Sequence, residues 1–332
     1  MSLIKKLSKT AINNHEEWWR IAKADPQAGF YQTPAWFEVA KAKSANYADA
    51  SLMGQLSTGT NFVLPLCSYS RMWPIKRIYS VYDQCYGGLI ADGPVTAAEH
   101  EAILKAIPLS PFASFDLTQT PGIQQGTALP DYHTETFTGS EIDLTDTTFD
   151  EVFAKYTRTH RTNYRKGVKS GLIFRRADPT NLAADFDLFY DIYLETLDKR
   201  WGENVEGDVI DRDFLHRFEA IMAKYPENFF MWFAELEGKA VSVATAFQWN
   251  GRFDGWVMAS RPEFFKLRPT VFIITEIIKY AFENNHKLFH FGPNTGKQGL
   301  EDFKRRFGAV AVPYQTWHRP SPALSLLEKI RG

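Results

Sequence analysis

Apolar and polar positions in the first half of the chain follow a series of helix-like and strand-like patterns. Residues 15–24 and 34–43 repeat apolar positions at helical spacing, and Thr33 and Pro34 suit the N-cap and first position of the second helix. The later elements predicted in this half are hairpin strands over 50–56 and 61–69, a strand within 78–86, a helix over 96–107 and a strand over 113–118.

The second half repeats this order of patterns. Its predicted elements are helices over 186–201 and 212–224, strands over 229–236, 240–249 and 253–259, a helix over 270–283 and a strand over 287–291. Two helices, an antiparallel meander, a crossover helix and a final strand therefore occur twice. We interpret this as a structural duplication, with one large α+β domain as the alternative.

The segment between the halves reads as a helix over 149–169. Phe149, Val152, Phe153 and Tyr156 form one apolar stripe on it. Gly171 follows, and then a short strand over 172–174. The pattern predicts an N-terminal domain over 1–148 and a C-terminal domain over 149–332.

Length and composition agree with two soluble domains. The 332 residues suit two cores of roughly 150 residues each. Hydrophobic residues make up 44% of the chain and charged residues 23%, as in ordinary globular proteins. The net charge of −1 conceals an asymmetry: residues 1–150 hold 11 basic and 16 acidic residues, and residues 151–332 hold 27 and 23. An anionic ligand is therefore expected on the second half.

Several compartments and enzyme classes lack support in the sequence. Cys67 and Cys85 provide neither a disulfide framework nor a metal cluster, and no apolar run is long enough for a signal or membrane helix. A cytoplasmic location and no membrane span are expected. The chain has no Gly-x-Ser-x-Gly, His-Glu-x-x-His, Walker or Gly-x-Gly-x-x-Gly motif. No motif therefore supports a hydrolase, a zinc enzyme, a kinase or a dehydrogenase.

Three local patterns together resemble the FemAB-like branch of the GNAT superfamily. They are Phe-Tyr-Gln-Thr-Pro-Ala-Trp at 30–36, the basic run Arg-Thr-His-Arg-Thr-Asn-Tyr-Arg-Lys at 158–166, and Phe-His-Phe-Gly-Pro-Asn at 289–294 with Phe-Lys-Arg-Arg-Phe-Gly at 303–308. The resemblance implies an α+β fold of two tandem GNAT-type domains, each a mostly antiparallel mixed sheet flanked by helices. It also implies acyl transfer to an amine, with an anionic donor bound by the C-terminal domain.

The basic run is the first candidate site. From 152 to 177 no acidic residue occurs, and Arg158, Arg161, Arg165 and Lys169 share one helical face. Such a row is self-repelling unless an anion lies across it, and arginine suits phosphate. The alternative is a solvated face paired with acids of the other domain. The predicted substrate-binding residues are Arg158, Arg161, Tyr164 and Arg165, with Trp36 from the first pattern.

The start of the helix over 270–283 is the candidate donor site. Free N–H groups and the helix dipole favour an anion at a helix N-terminus. Within a GNAT-like fold this position cradles the pyrophosphate of the donor. The predicted donor-binding residues are Lys266, Arg268, Thr270, Lys304 and Arg305.

Catalytic candidates are fewer. Asn294, in the loop after the last strand, is a hydrogen-bond donor for an acyl carbonyl or amine, or else part of an Asx-turn. Asp198 and Asp254 are the acids proposed to take a proton from the amine. Glu276 lies within an apolar helix and needs a partner if buried. His290 is interpreted as structural, and the general base stays unassigned.

The predicted function is therefore transfer of an acyl group from acyl-CoA to a primary amine of an amino sugar, amino acid or cell-envelope precursor. The first alternative is an aminoacyl-tRNA-dependent transferase acting on a peptidoglycan-type precursor, which would add tRNA as a partner. A second alternative is a protein without catalysis: a scaffold, because a clear pyrophosphate-loop motif is lacking, or a nucleic-acid-binding module that uses the basic residues from Arg158 to Arg176. No permanently bound cofactor or metal is expected, and the chain is expected to be a monomer or homodimer.

Overall fold

The protein, described here by a computed structural model, forms two compact units. The structure describes residues 3–8, 14–82, 85–123, 126–179, 182–201, 210–294, 296 and 298–323, with the backbone alone for 198–201. Unit 1 comprises Met1–Thr138 and Val312–Gly332, and unit 2 comprises Gly139–Ala311. The predicted boundary at 148/149 lies ten residues after this division, and residues 312–323, which were predicted for the second domain, belong to unit 1.

The described residues form the following regular elements. The helices are α1 (His15–Ala24), α2 (Pro34–Lys43), α3 (Ala97–Lys105), α4 (Phe149–Ala154), α5 (Arg158–Lys169), α6 (Ala183–Trp201), α7 (Arg212–Met222), α8 (Pro269–Glu283) and α9 (Gln298–Arg305). The strands are β1 (Ile4–Ser8), β2 (Tyr47–Asp49), β3 (Leu52–Leu56), β4 (Asn61–Leu64), β5 (Cys67–Met72), β6 (Ile75–Tyr79), β7 (Ile90–Ala91), β8 (Ala113–Thr118), β9 (His133–Asp143), β10 (Ile173–Arg176), β11 (Phe229–Leu236), β12 (Lys239–Trp249), β13 (Arg252–Ser260), β14 (Leu288–Pro293) and β15 (Val310–Arg319).

Unit 1 contains two groups of strands. One is antiparallel, in the order β1-β3-β4-β7, and the other has the order β15-β8-β6-β5-β2. In the second group β6 and β8 are parallel, and β15 runs antiparallel to β8. Phe62, Phe115 and Trp317 are fully buried in the core of this unit. The apolar faces of its strands are thus covered within the unit itself.

Unit 2 has strands in the order β10-β11-β12-β13-β14-β9. Only β13 and β14 are parallel, and α8 is the crossover between them. The core is aromatic, with Trp232, Phe253, Phe272 and Phe289 in one buried cluster. Because α8 supplies apolar residues on nearly all sides, it is buried against this sheet while α5 packs onto it.

The repeated order predicted from the sequence is present in both units. In each unit a helix connects two parallel strands, and a further strand runs antiparallel to the second of them. The prediction of an α+β fold with mostly antiparallel mixed sheets flanked by helices is confirmed. No helix in the described ranges has the length and apolar composition needed to cross a bilayer.

Some predicted elements were wrong in detail. The single helix over 149–169 is two helices, because Thr157 caps α5 through its hydroxyl and the chain turns after α4. The predicted strand over 61–69 is interrupted at Pro65. The sequence patterns did not predict β9 or β15, and the first four residues of β9 are solvent-exposed, so they lack the alternation of a half-buried strand.

Candidate active site

The strands β13 and β14 separate after a short stretch of pairing. Their paired residues end at Asp254 and His290, although β13 continues to Ser260 and β14 to Pro293. On its other side β13 has an irregular register with β12, where the Thr245 hydroxyl bonds to the Val257 backbone N–H and carbonyl at 3.1 and 3.2 Å. This irregularity bends β13 locally. We call the opening between the two strands beyond these paired residues the wedge.

A cavity of about 590 Å³ lies at the wedge. It is lined by β12 and β13, by Phe289 and Phe291 of β14, by the start of α8, and by α5 and α9. Its volume is in the range of sites that bind small molecules and cofactors. The polar side chains among its lining residues are His160, Asn163, Thr196, Thr245, Trp256, Ser260, Arg268, Thr270, Lys304 and Arg306.

The start of α8, which is the predicted donor site, lines this cavity. Arg268 is the N-cap residue in a left-handed conformation, with φ 62° and ψ 42°, and no side chain caps the helix. The Thr270 hydroxyl lies 3.0 Å from that of Ser260. Uncapped N–H groups with the positive end of the helix dipole favour an anion here. Arg268 is exposed and lines the cavity, whereas the exposed Lys266 does not.

Lys304 has a different environment from the one predicted. It is buried, and its ammonium group donates hydrogen bonds to the carbonyls of Gly292 at 2.8 Å and Pro293 at 2.7 Å. Burial lowers the pKa of Lys304 to about 8. Lys304 thus ties α9 to the end of β14 while lining the cavity. Arg305 is exposed, forms an ion pair with Asp302 at 2.9 Å and lies outside the cavity lining.

Asp254 lies at the closed end of the wedge in a buried charged group. It is 2% exposed, and the Arg252 guanidinium Nε donates to its two oxygens at 2.8 and 3.0 Å. Burial nevertheless raises the pKa of Asp254. The Nδ1 atom of His290 lies 3.5 Å from Asp254 and accepts the Gly292 N–H at 3.0 Å. Burial keeps the pKa of His290 well below its usual value, so the imidazole is neutral.

Glu141 of β9 pairs with His290 across the strands. Burial raises the pKa of Glu141 as well. His290 lies between Phe289 and Phe291 in β14, so its side chain is on the sheet face opposite these two cavity-lining rings. The closed end of the wedge therefore carries an apolar cavity on one face and a buried titratable group on the other.

Asn294 follows directly after β14 and is buried. The Ser140 hydroxyl donates to its Oδ1 at 2.9 Å, and its Nδ2 lies 3.4 Å from both the Gly139 carbonyl and Glu301. The amide thus joins the end of β14 to β9. It does not line the cavity.

The basic face of α5 is less uniform than its sequence suggested. The Arg161 guanidinium donates to the carbonyls of Ala154 and Tyr156, so it closes the turn between α4 and α5. The Tyr164 hydroxyl donates to Glu276 at 2.6 Å, which provides the partner that this acid required. Arg158 and Arg165 are exposed. None of Arg158, Arg161, Tyr164 and Arg165 lines the cavity.

Two further predicted residues lie elsewhere. Trp36 belongs to unit 1, where it is 1% exposed and donates its indole N–H to the Tyr82 carbonyl at 3.0 Å. These contacts give it a packing role in that core. Asp198 lies in α6, but its side chain falls outside the described residues.

His160 is a cavity residue that the sequence reasoning did not select. It is 2% exposed, and its ring meets Phe303 and Phe307 edge-on at centroid distances of 5.4 and 4.5 Å. Neither of its ring nitrogens has a hydrogen-bond partner in the described part of the chain. Burial, with a smaller contribution from Arg306, lowers its pKa to about 4. His160 and Asn163 are three residues apart in α5, so they lie on the same face of the helix. This spacing could have identified the two residues as a pair in the sequence.

Comparisons with known proteins agree with this geometry. Residues 154–305, which lie entirely within unit 2, match the family model described as an acetyltransferase (GNAT) domain. No curated protein matches the chain. The residues that line the cavity, apart from Arg306, lie within the segment that matches this domain.

Solved structures resemble the chain over nearly its full length. The crystal structure of FemX matches with a TM-score of 0.66 and 14% identity, covering 97% of this chain and 99% of FemX. The C-terminal domain (DUF2156) of a putative lysylphosphatidylglycerol synthetase from Agrobacterium fabrum matches with a TM-score of 0.60 and 12% identity, covering 96% and 95%. A tandem GNAT protein from the clavulanic acid biosynthesis pathway matches with a TM-score of 0.53 and 12% identity, covering 94% of this chain and 97% of that protein. At the level of the fold, the resemblance to the FemAB-like branch is confirmed.

Proposed function

From a chain with the FemAB-like tandem GNAT fold and a GNAT acetyltransferase domain in its second unit, we propose an N-acyltransferase that uses acyl-CoA. The acceptor is a primary amine of an amino sugar, amino acid or cell-envelope precursor. The observation that supports this proposal most directly is the cavity at the wedge, which reaches the uncapped start of α8. A donor with anionic phosphates and an apolar arm suits both parts of that cavity.

The donor phosphates are proposed to bind at the start of α8. Arg268 supplies positive charge there, the first-turn N–H groups supply hydrogen-bond donors, and Arg306 adds positive charge to the same cavity. The arm of the donor would follow the apolar wall formed by Ile274, Phe289 and Phe291 towards the closed end of the wedge. Lys304 is not proposed to bind the phosphates, because its ammonium group already donates to two carbonyls. It instead holds α9 against the end of β14 beside the cavity.

The proposed reaction is direct attack of the amine on the acyl carbonyl. The new N–C bond forms, the C–S bond breaks, and the departing thiolate takes up the second proton that the amine nitrogen loses. Backbone N–H groups of β13 beyond Asp254 would polarise the carbonyl, and most of the rate enhancement would come from positioning. Asp254 is the proposed acceptor of the ammonium proton, since its raised pKa brings it closer to the pH of the reaction. The amine would then approach from the sheet face that carries Asp254.

The test is calorimetric titration of the purified chain with acetyl-CoA and with coenzyme A. Micromolar binding is expected, and Arg268→Glu should weaken it by about tenfold or more because a cation at the phosphate site becomes an anion. Lys287→Glu is the matched control, because this exposed lysine precedes β14 and does not line the cavity. Equal affinities for Arg268→Glu and the wild-type chain would refute the donor placement, and no binding by the wild type would refute acyl-CoA.

An aminoacyl-tRNA donor, with a peptidoglycan-type precursor as acceptor, is the second candidate. It is favoured by the exposed cations of α5, which are Arg158, Arg165, Lys166 and Lys169. Binding of charged tRNA through such a surface would weaken steeply as salt rises. A salt-sensitive complex in the absence of acetyl-CoA binding would support this donor. A complex with a flat salt dependence would reject it.

A further inference from the structure

A hairpin in unit 1 exposes two large apolar side chains at its turn. Trp73, between β5 and β6, is 86% exposed, and the preceding Met72 is 65% exposed. Within the described ranges these are the most exposed large hydrophobic side chains. Tryptophan is usually buried for most of its area, so such exposure indicates a contact that the isolated chain does not make. We call Met72, Trp73 and Pro74 the hairpin tip.

A second apolar segment lies beside this hairpin. The Lys76 N–H donates to the Phe112 carbonyl at 3.2 Å, and Lys76 pairs with Ala113 where β6 and β8 run parallel. Phe112 is 39% exposed, and the adjacent Pro111 is also exposed. The loop before β8 therefore adds apolar surface next to the start of β6.

Within the hairpin segment itself, all charged side chains are basic. No acidic residue occurs from 66 to 82, whereas Arg71, Lys76 and Arg77 flank the tip. Arg71 and Lys76 are exposed, and Arg77 is paired with Asp116 at 2.9 Å. This local positive charge stands out because residues 1–150 as a whole carry 16 acidic and 11 basic residues.

We infer that the hairpin tip binds the surface of an anionic lipid bilayer. The indole ring of tryptophan is favoured at the boundary between headgroups and acyl chains, and neighbouring lysine and arginine are attracted by anionic headgroups. A protein partner fits less well, because a stable protein interface buries about 800 Å² on each side, with an apolar centre surrounded by a polar rim. The tip is instead the turn of a narrow two-stranded hairpin. Its role does not depend on the reaction proposed above.

The experiment is flotation of the full-length chain with two kinds of vesicle. One is phosphatidylcholine alone, and the other contains about one third phosphatidylglycerol to provide a negative surface potential. Binding is expected with the anionic vesicles, and raised salt should weaken it. The double variant Met72→Ser/Trp73→Ser should lower vesicle binding by about tenfold, because it removes the apolar contact. Arg71→Gln/Lys76→Gln should remove the preference for anionic vesicles.

Ile173→Ser is the matched control, because Ile173 is 60% exposed in unit 2 and lies far along the chain from the tip. It should bind vesicles as the wild type does. The inference is overturned if the wild type binds both vesicles equally or neither, or if the tip variant binds as well as the wild type. Self-association that the tip variant abolishes, without vesicle binding, would assign the tip to contacts between copies of the chain instead.

Discussion

Arg268 holds a backbone conformation that is unfavourable for a residue with a side chain. Its φ of 62° lies in the left-handed region, where an L-residue is disfavoured by roughly 1–2 kcal/mol relative to its usual conformations. Glycine would adopt this conformation readily. The proposed role of Arg268 at the donor phosphates gives a reason for the arginine, and it predicts opposite effects of substitution on stability and on binding.

We expect Arg268→Gly to raise the free energy of unfolding by about 0.5–1 kcal/mol while weakening acetyl-CoA binding. Glycine removes the cost of the left-handed conformation, which stabilises the folded state. It also increases the conformational entropy of the unfolded chain, and this offsets part of the gain. Thermal denaturation and calorimetric titration of the same preparation measure the two effects. Asn285→Gly is the control, since Asn285 has φ 59° beyond the other end of α8 and should gain stability with unchanged binding. Unchanged donor affinity in Arg268→Gly would contradict the proposed role.

His160 is buried in the cavity with no hydrogen-bond partner in the described residues. Such an unsatisfied ring lowers the stability of the protein without a bound ligand. We expect His160→Phe to keep the ring packing against Phe303 and Phe307 and to raise stability by about 1 kcal/mol. We expect the unpartnered His160 ring to hydrogen-bond an acyl donor in the cavity, so this variant should also weaken acetyl-CoA binding by about tenfold. His286→Phe is the comparison, because His286 is half-buried against Phe253 outside the cavity lining. A destabilised His160→Phe protein with normal affinity would show that the ring is structural.

At the scale of elements, α5 and α8 approach closely at Gly167. A Cβ atom added there would lie 3.1 Å from the Phe272 Cβ and 3.2 Å from the Leu172 Cδ1. Tyr164 stacks on Phe272 at a centroid distance of 6.0 Å in the same contact. The small residue therefore allows the basic helix to pack against the helix that begins at the cavity.

The same substitution in two helices tests this contact. Alanine normally stabilises a helix by about 1 kcal/mol relative to glycine. Gly299→Ala in α9 should show such a gain, because a Cβ there meets nothing within 4 Å. Gly167→Ala should lose that gain or destabilise the protein, which leaves a difference of about 1–2 kcal/mol between the variants. Chemical denaturation measures both variants. Equal changes in the free energy of unfolding would mean that α5 and α8 can move apart to accept the added methyl group without a cost.

At the scale of the whole molecule, buried neutral histidines contribute to the response to acid. Burial lowers the pKa of His100 in unit 1 and of His160 in unit 2 to about 4, and it also holds the pKa of His290 well below its usual value. Below pH 6.5 the unfolded chain binds protons at these rings while the folded chain does not, so acid favours unfolding.

We therefore expect the stability of each unit to fall as the pH falls from 6.5 towards 4, by up to about 3 kcal/mol for each of His100 and His160. The double variant His100→Gln/His160→Phe should lose less stability over this range than the wild type. His133→Gln, at an exposed position, is the control and should follow the wild type. Calorimetric melting between pH 4 and 7 measures the difference, and parallel curves for both chains would contradict the assignment.

Local patterns were sufficient for many elements of the whole fold. The predicted bounds of α1, α2, β8 and β11 equal the observed ones, because amphipathic periodicity, a proline at a first helical position and turn residues act over a few neighbouring residues. The repeated order of elements likewise revealed two similar units. Strands without alternation were missed: β9 begins exposed, and its pairing with β14 depends on residues about 150 positions away.

The sequence by itself determined the α+β class, the duplication, the family resemblance and the anion-favouring start of α8. Only the tertiary structure decided which residues meet at the wedge. Lys304 bonds carbonyls of β14, Arg161 closes a turn, and His160 lines the cavity. Helical spacing groups residues on one face, but burial and partners come from elements distant in sequence. The chemistry of a side chain depends on those non-local neighbours, and a pattern of residue types does not contain them.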